Sequence, residues 1–278
     1  MITIKDKTIH AENDEGSTAK MPLDKFIAAL SPSLPDIVLP DKVKCIKSSA
    51  DHKFHIAVWE IDPQVHNIRW ISEDSEKRYG PGTEYTVRPL ALPYIILTVP
   101  FVIEKDKMIP QQGHFECFYR NEPLTDMDQV LYYPALLNCS KWPAAHAPKK
   151  PLSWLCTQYL NPAAIFQEKT LSKQLWRTLK LTRWCLLESG FNYSSEHHEG
   201  NSHYSDYINS SVVDARIKDV AKWEAASKKD PLFVLDIDWK PTGHTVAQLI
   251  DRTFGLLGAV NGHELNQAYL ERLVFNHR

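Results

Sequence analysis

The chain has 278 residues, 43% of them hydrophobic and 24% charged, a balance that belongs to a folded globular protein and excludes a disordered one. Its formal charge of -2 gives no broad attraction to DNA, RNA or an anionic membrane, so nucleic acid is not an expected partner. The longest apolar run, LALPYIILTVPFVI at 90–103, is interrupted by two prolines and falls short of the roughly 20 residues of a membrane-spanning helix, so no membrane partner is expected either.

The first twenty residues, MITIKDKTIHAENDEGSTAK, are polar and lack the apolar core of a signal peptide. Five cysteines, at 45, 117, 139, 156 and 185, are odd in number, far apart and never in CxxC spacing. They do not read as a disulfide framework or a zinc knuckle, and a reduced, cytoplasmic protein is the expectation.

After an N-terminal segment (1–50), KFHIAVWEI at 53–61 alternates in part, and HNIRWIS at 66–72 follows a turn containing Asp62 and Pro63. The pair predicts a β-hairpin. A polar loop with Gly-Pro-Gly punctuation follows at 72–84. The stretch 94–103 has no solvent face, which suits a strand covered on both sides, with Pro100 at an edge or bulge because it cannot donate to the ladder. GHFECFYR at 113–120 is the next predicted strand.

The second half is helical in character. PLSWLCTQYL at 151–160 predicts a short helix, and 170–190 a long one capped by Thr170, stopped at Gly190 and facing the core with Leu171, Leu175, Leu179, Trp184 and Leu187. The polar and aromatic segment 191–211 has no periodicity, and loops of that length are uncommon inside a domain unless they serve a function or an interaction. A helical pattern resumes at 213–228. PLFVLDIDW at 231–239 predicts a strand joining the early sheet, and helices are expected near 245–257 and 263–275. Strands first and helices later indicate an α+β fold.

Phosphate-loop, dinucleotide, serine-elbow and HExxH patterns are all missing, so no cofactor is expected. Three constellations could carry chemistry. EHHEGNSHYSD offers His197, His198, His203 and Asp206 as metal ligands, with Glu196 and Glu199 beside them, because imidazole and carboxylate suit zinc, iron or nickel; solvation of a polar loop is the alternative. DIDWK places Asp236, Asp238 and Lys240 at the DxK spacing of magnesium-dependent nucleases, with Asp214, Asp219 or Glu224 as the further acid. An ordinary strand with acids outward is the alternative there. Cys139 has Asn138, Lys141 and His146 nearby in sequence, and a thiol nucleophile needs such a base or cation and access to substrate; a buried apolar filler is the alternative.

The order of elements from the strand HFECFYR through YYPALLNCSKWPAAHAPKKP to LSWLCTQYLNP resembles the ubiquitin-conjugating enzyme layout. In that layout a meander leads to a turn, a catalytic cysteine, a Trp-Pro segment and a helix ending near Asn-Pro. More closely, residues 54–190 resemble the bacterial ubiquitin-conjugating-like proteins of family D, found in PRTRC plasmid cassettes. Tyr133-Pro134 stand near the turn, Trp142-Pro143 at the Trp-Pro segment and Asn161-Pro162 after the helix, although Asn138 and Cys139 are adjacent here rather than separated.

The resemblance implies an antiparallel meander core (51–190) packed by helices, with a loop and helical extension (191–278). It also implies a bacterial or phage multiprotein system whose partners are activating-enzyme-like or modifier-like proteins. Cys139 would then carry a modifier as a thioester, with Asn138 and His146 assisting. A non-catalytic protein-binding module of the same fold is the alternative, and a metal-dependent nuclease or hydrolase the further one.

Overall fold

The computed structural model describes residues 2–12, 16–30, 37–49, 51–71, 82–142, 145–189, 202–208, 210 and 214–258. An antiparallel three-stranded sheet, β1 (Ile2–Lys5), β2 (Thr8–Glu12) and β3 (Thr18–Pro22), opens the chain and is followed by α1 (Leu23–Leu30). Asp6 and Lys7, at φ 49° and 59°, form the two-residue turn between β1 and β2, the geometry that matches strand twist in tight hairpins. Ile9, Ala11, Ala19, Met21 and Phe26 make a small core of their own.

The main body is a nine-stranded sheet in which every pairing is antiparallel. Toward one end of it β5 (Phe54–Ile61) lies between the terminal strand β4 (Val43–Ser48) and the central β8 (Tyr94–Glu104). Beyond β8 lies β10 (Glu116–Arg120), which carries β13 (Trp154–Leu155) at its start and β11 (Val130–Tyr132) near its end. β9 (Lys107–Pro110) pairs with β8, β12 (Cys139–Ser140) with β13, and β14 (Pro241–Thr245) with β11. The strand joining the early sheet from the far end of the chain is therefore 241–245, not 231–239.

Both faces of this sheet are covered. From β5, Ala57, Trp59 and Ile61 enter one core, while Phe54, Ile56 and Val58 enter the other. The first core includes residues of α3 (Leu171–Leu187); the second is closed by Val246, Leu249, Ile250 and Phe254 of α6 (Val246–Leu256). Double coverage explains the unbroken apolar run of β8, as its sequence predicts. Pro100 faces Ile56 across the ladder, and its carbonyl accepts the Gln111 N–H (2.8 Å). Backbone donor and acceptor of one strand residue point the same way. The missing N–H thus falls at the break between β9 and β10, where no strand partner needs it.

Several expected elements differ. The 53–61 and 66–72 strands do not form a hairpin: β6 (Gln64–Ile71) pairs only with β7 (Tyr85–Leu92), as a separate two-stranded ribbon. β5 already has β4 and β8 on its two edges, so β6 has no edge of it to join. Residues 151–160 are not helical: Trp154–Leu155 is strand, and helix begins as α2 (Pro162–Phe166). There Asn161 accepts the Ala163 N–H and proline occupies the first turn, so Asn-Pro starts a helix rather than ending one.

The 231–239 segment is a 3-10 turn over 233–236. Asp230 accepts the Leu232 N–H, and the Trp239 indole N–H returns to the Val234 carbonyl (3.0 Å), so local bonds override the alternation. Helix α5 (Val220–Lys229) starts at an Asp219 cap, later than the pattern beginning at 213. Trp184 is 38% exposed, and buried Gln174, Thr178 and Thr182 take part in the core face of α3 instead. Gly190 and 263–275 lie outside the described residues. Among the described residues no helix is long and apolar enough to cross a membrane.

Candidate functional site

Cys139 is fully buried. It sits in β12 opposite Leu155, with buried Cys117 and Cys156 in its surroundings. Burial, followed by hydrogen bonding of the Cys139 thiol toward the neighbouring Cys117 and by the charge of Cys117, raises the Cys139 thiol well above its ordinary range. Asn138 is buried too, and its side chain is committed to the end of helix α3. Its Nδ2 donates to the carbonyls of Cys185 and Leu186, both at 2.9 Å, two of the acceptors left open in a last helical turn. His146 is exposed and precedes the 3-10 turn Ala147–Lys149 without capping it through its side chain. Neither residue reaches the thiol as a base: the Sγ of Cys139 only approaches the Asn138 Oδ1 at 4.0 Å.

Of the proposed metal ligands, His197 and His198 lie outside the described residues, as do Glu196 and Glu199. His203 and Asp206 fall on α4 (His203–Ile208), tied to β12 by the bridge between Ser140 and Ser202. His203 is buried and stacks on Tyr133 (ring centroids 4.5 Å apart), and its Nε2 has no partner among the described residues. Burial holds its pKa down at about 3, against the opposing pull of Asp206, so the ring is neutral. Among the described residues no group of three or more His, Cys, Asp or Glu is placed to hold a metal ion.

The three constellations, read separately in the sequence, nevertheless meet in space. The Asp206 carboxylate receives Lys141 Nζ on Oδ1 (2.5 Å) and approaches Lys240 Nζ through Oδ2 (3.6 Å). Lys141 comes from the cysteine segment, Asp206 from the histidine-rich segment and Lys240 from the DxK segment. Asp206, Asp238 and Lys240 line one open pocket of about 330 Å³ with Tyr207 and Trp239. Asp236 and the other acids weighed for the DxK reading do not line it: Asp214 pairs with Arg216, Asp219 with Lys222 and Glu224 with Arg88 and Lys228.

The pocket floor is rigid for identifiable reasons. The Tyr207 hydroxyl donates to the Tyr133 carbonyl and accepts the Lys240 N–H, both at 2.8 Å. Trp239 is enclosed by Tyr119, Tyr207 and Trp223, with ring centroids 5.0, 5.6 and 6.4 Å away. This arrangement presents the Asp206 and Asp238 carboxylates and the Lys240 ammonium group to a ligand.

Sequence reasoning missed Glu116, which is buried in β10. Its Oε1 accepts the Leu152 N–H (3.0 Å), its Oε2 has no partner among the described residues, and burial raises its pKa to about 8 against the milder pull of that bond and of Arg252. Its signal was an acid between Phe115 and Cys117 in a strand expected to be buried. No family model matches the chain, and no curated protein or solved structure is significantly similar to it.

Proposed function

We propose that the protein is a non-catalytic protein-binding module of a multiprotein system, with the pocket at Asp206, Asp238 and Lys240 as its recognition site. The observation that carries this reading is the complete burial of Cys139. A thioester carrier must bring a thiolate to its partner, which requires exposure and a depressed pKa. Cys139 has neither, since its environment pushes the thiol the other way. The likeness to bacterial ubiquitin-conjugating-like proteins is compatible with this role, the antiparallel core then serving as a docking scaffold.

The test is the native alkylation rate of each cysteine against pH, read by peptide mass spectrometry. Half-buried Cys45 is expected to react first, with Cys139 slower by about two orders of magnitude. Fast modification of Cys139 with a midpoint below the roughly 8.5 of a free thiol would overturn the proposal in favour of thioester chemistry.

A further inference from the structure

A second cleft, of about 450 Å³, runs between β6 and the end of α3, away from the three constellations. Gln64, His66, Asn67 and Arg69 from β6 line it on one side, and Arg183 and Glu188 on the other. It holds two permanent cations against one carboxylate. The side chains are placed by alternation along the strand: His66 lies on the buried face of β6 with Ile68 and Trp70, and Asn67 and Arg69 on the exposed face.

Among the described residues Arg69 and Arg183 donate no hydrogen bond, and Arg183 has only a long ion pair. Arg69 lies over the Tyr85 ring, 4.4 Å from its centroid, a contact that uses the guanidinium face and leaves its N–H edge available. Arg183 Nη1 is 3.9 Å from Glu188 Oε1, too far for a hydrogen bond. His66 is only 4% exposed, yet its Nε2 has no partner among the described residues. A buried ring nitrogen without a partner costs stability unless something supplies one.

We propose that this cleft binds the phosphoryl group of a small phosphate ester or diphosphate at the edge of β6 that has no strand partner among the described residues, where Arg69 and Asn67 reach it from the exposed face and Arg183 and His66 from the buried one. A carboxylate is saturated by one guanidinium fork, whereas two forks match the several oxygens and higher charge of a phosphoryl group. Val65, Val87 and Leu187 provide an apolar wall for the organic part of the ligand. Burial and the nearby Arg183 charge hold the His66 pKa at about 4. With Arg69, Arg183 and Glu188 the charged groups around it, an added anion stabilises the imidazolium and moves that pKa upward. The proposal is independent of the reading of Cys139.

The experiment is calorimetric titration of the full chain at constant ionic strength with inorganic phosphate and with pyrophosphate. Saturable binding of one equivalent is expected, with Kd below about 1 mM for pyrophosphate. Arg69→Gln and Arg183→Gln should each weaken it by about tenfold, the loss of a charge-assisted pair. Glu188→Gln should tighten binding by a few-fold, because it removes the competing carboxylate. Arg216→Gln serves as the control, since that guanidinium is already paired with Asp214. The His66 ring resonances, assigned through His66→Gln, should titrate at higher pH with ligand present. Absence of saturable binding, or binding undiminished in both cleft arginine variants, would overturn the proposal and leave only unspecific association of anions with the surface.

Discussion

Asn138 donates both N–H bonds of its amide to one end of α3, and its backbone carbonyl accepts the Cys156 N–H at 3.1 Å. It therefore locks the cysteine segment to the helix. Asn138→Ala would take the Asn138 donor from the Leu186 carbonyl and leave the Cys185 carbonyl to the Ser189 hydroxyl (2.9 Å), and should cost about 2 kcal/mol, measurable by urea denaturation. A loss under about 0.5 kcal/mol, the size of an ordinary surface change, would contradict that role. In the sequence the residue drew attention only because it precedes Cys139. Its actual partners are 47 and 48 positions away, a separation that no local pattern encodes. The same holds for Asp206, whose two lysines come from residues 141 and 240: each segment was legible as polar and chemically capable, but their meeting required the fold.

Helix α3 shows which part of an element sequence reasoning reaches. Its limits follow from local chemistry, with Thr170 accepting the Lys173 N–H as the expected cap. Its buried face does not follow from hydrophobicity, because Gln174 is buried through bonds to three backbone groups: it accepts the Met108 N–H and donates to the Asp106 and Glu168 carbonyls. A more apolar residue there should consequently be worse. Gln174→Leu is expected to destabilise by about 2 kcal/mol by orphaning those groups, and unchanged or raised stability in denaturation would refute it.

At α6, Thr245 and Gln248 close a reciprocal capping box. Thr245→Ala should cost about 1 kcal/mol, seen as a lower Tm. The β5–β6 pairing and the helix at 151–160 failed for a related reason: strand partners and the extended stretch at Trp154 are decided by distant edges, β4, β8 and β10.

Across the whole molecule, buried ionisable groups set opposing pH dependences. His55, His66 and His203 are buried, chiefly by which their pKa values fall to about 4, 4 and 3. The unfolded chain titrates near 6.5 at these positions, so below that pH it binds protons the native state refuses, and stability drops as pH falls toward 4. Glu116 acts with the other sign. Its native pKa of about 8 exceeds the ordinary 4.5, so the native state holds a proton the unfolded chain has released, and stability declines as pH rises through that window. Between 4.5 and 6.5 the three histidines outweigh the one glutamate, whereas above 6.5 only the glutamate term remains. Stability should peak near pH 6.5 and fall on both sides. Glu116→Gln keeps an acceptor for the Leu152 N–H and removes the titration, so it should flatten the alkaline limb, gain on the order of 4 kcal/mol at pH 8, and leave the acid limb in place. Denaturation of both proteins from pH 4 to 9 decides the matter: superimposable profiles would mean that Glu116 is ionised in the native state and that Arg252 outweighs its burial.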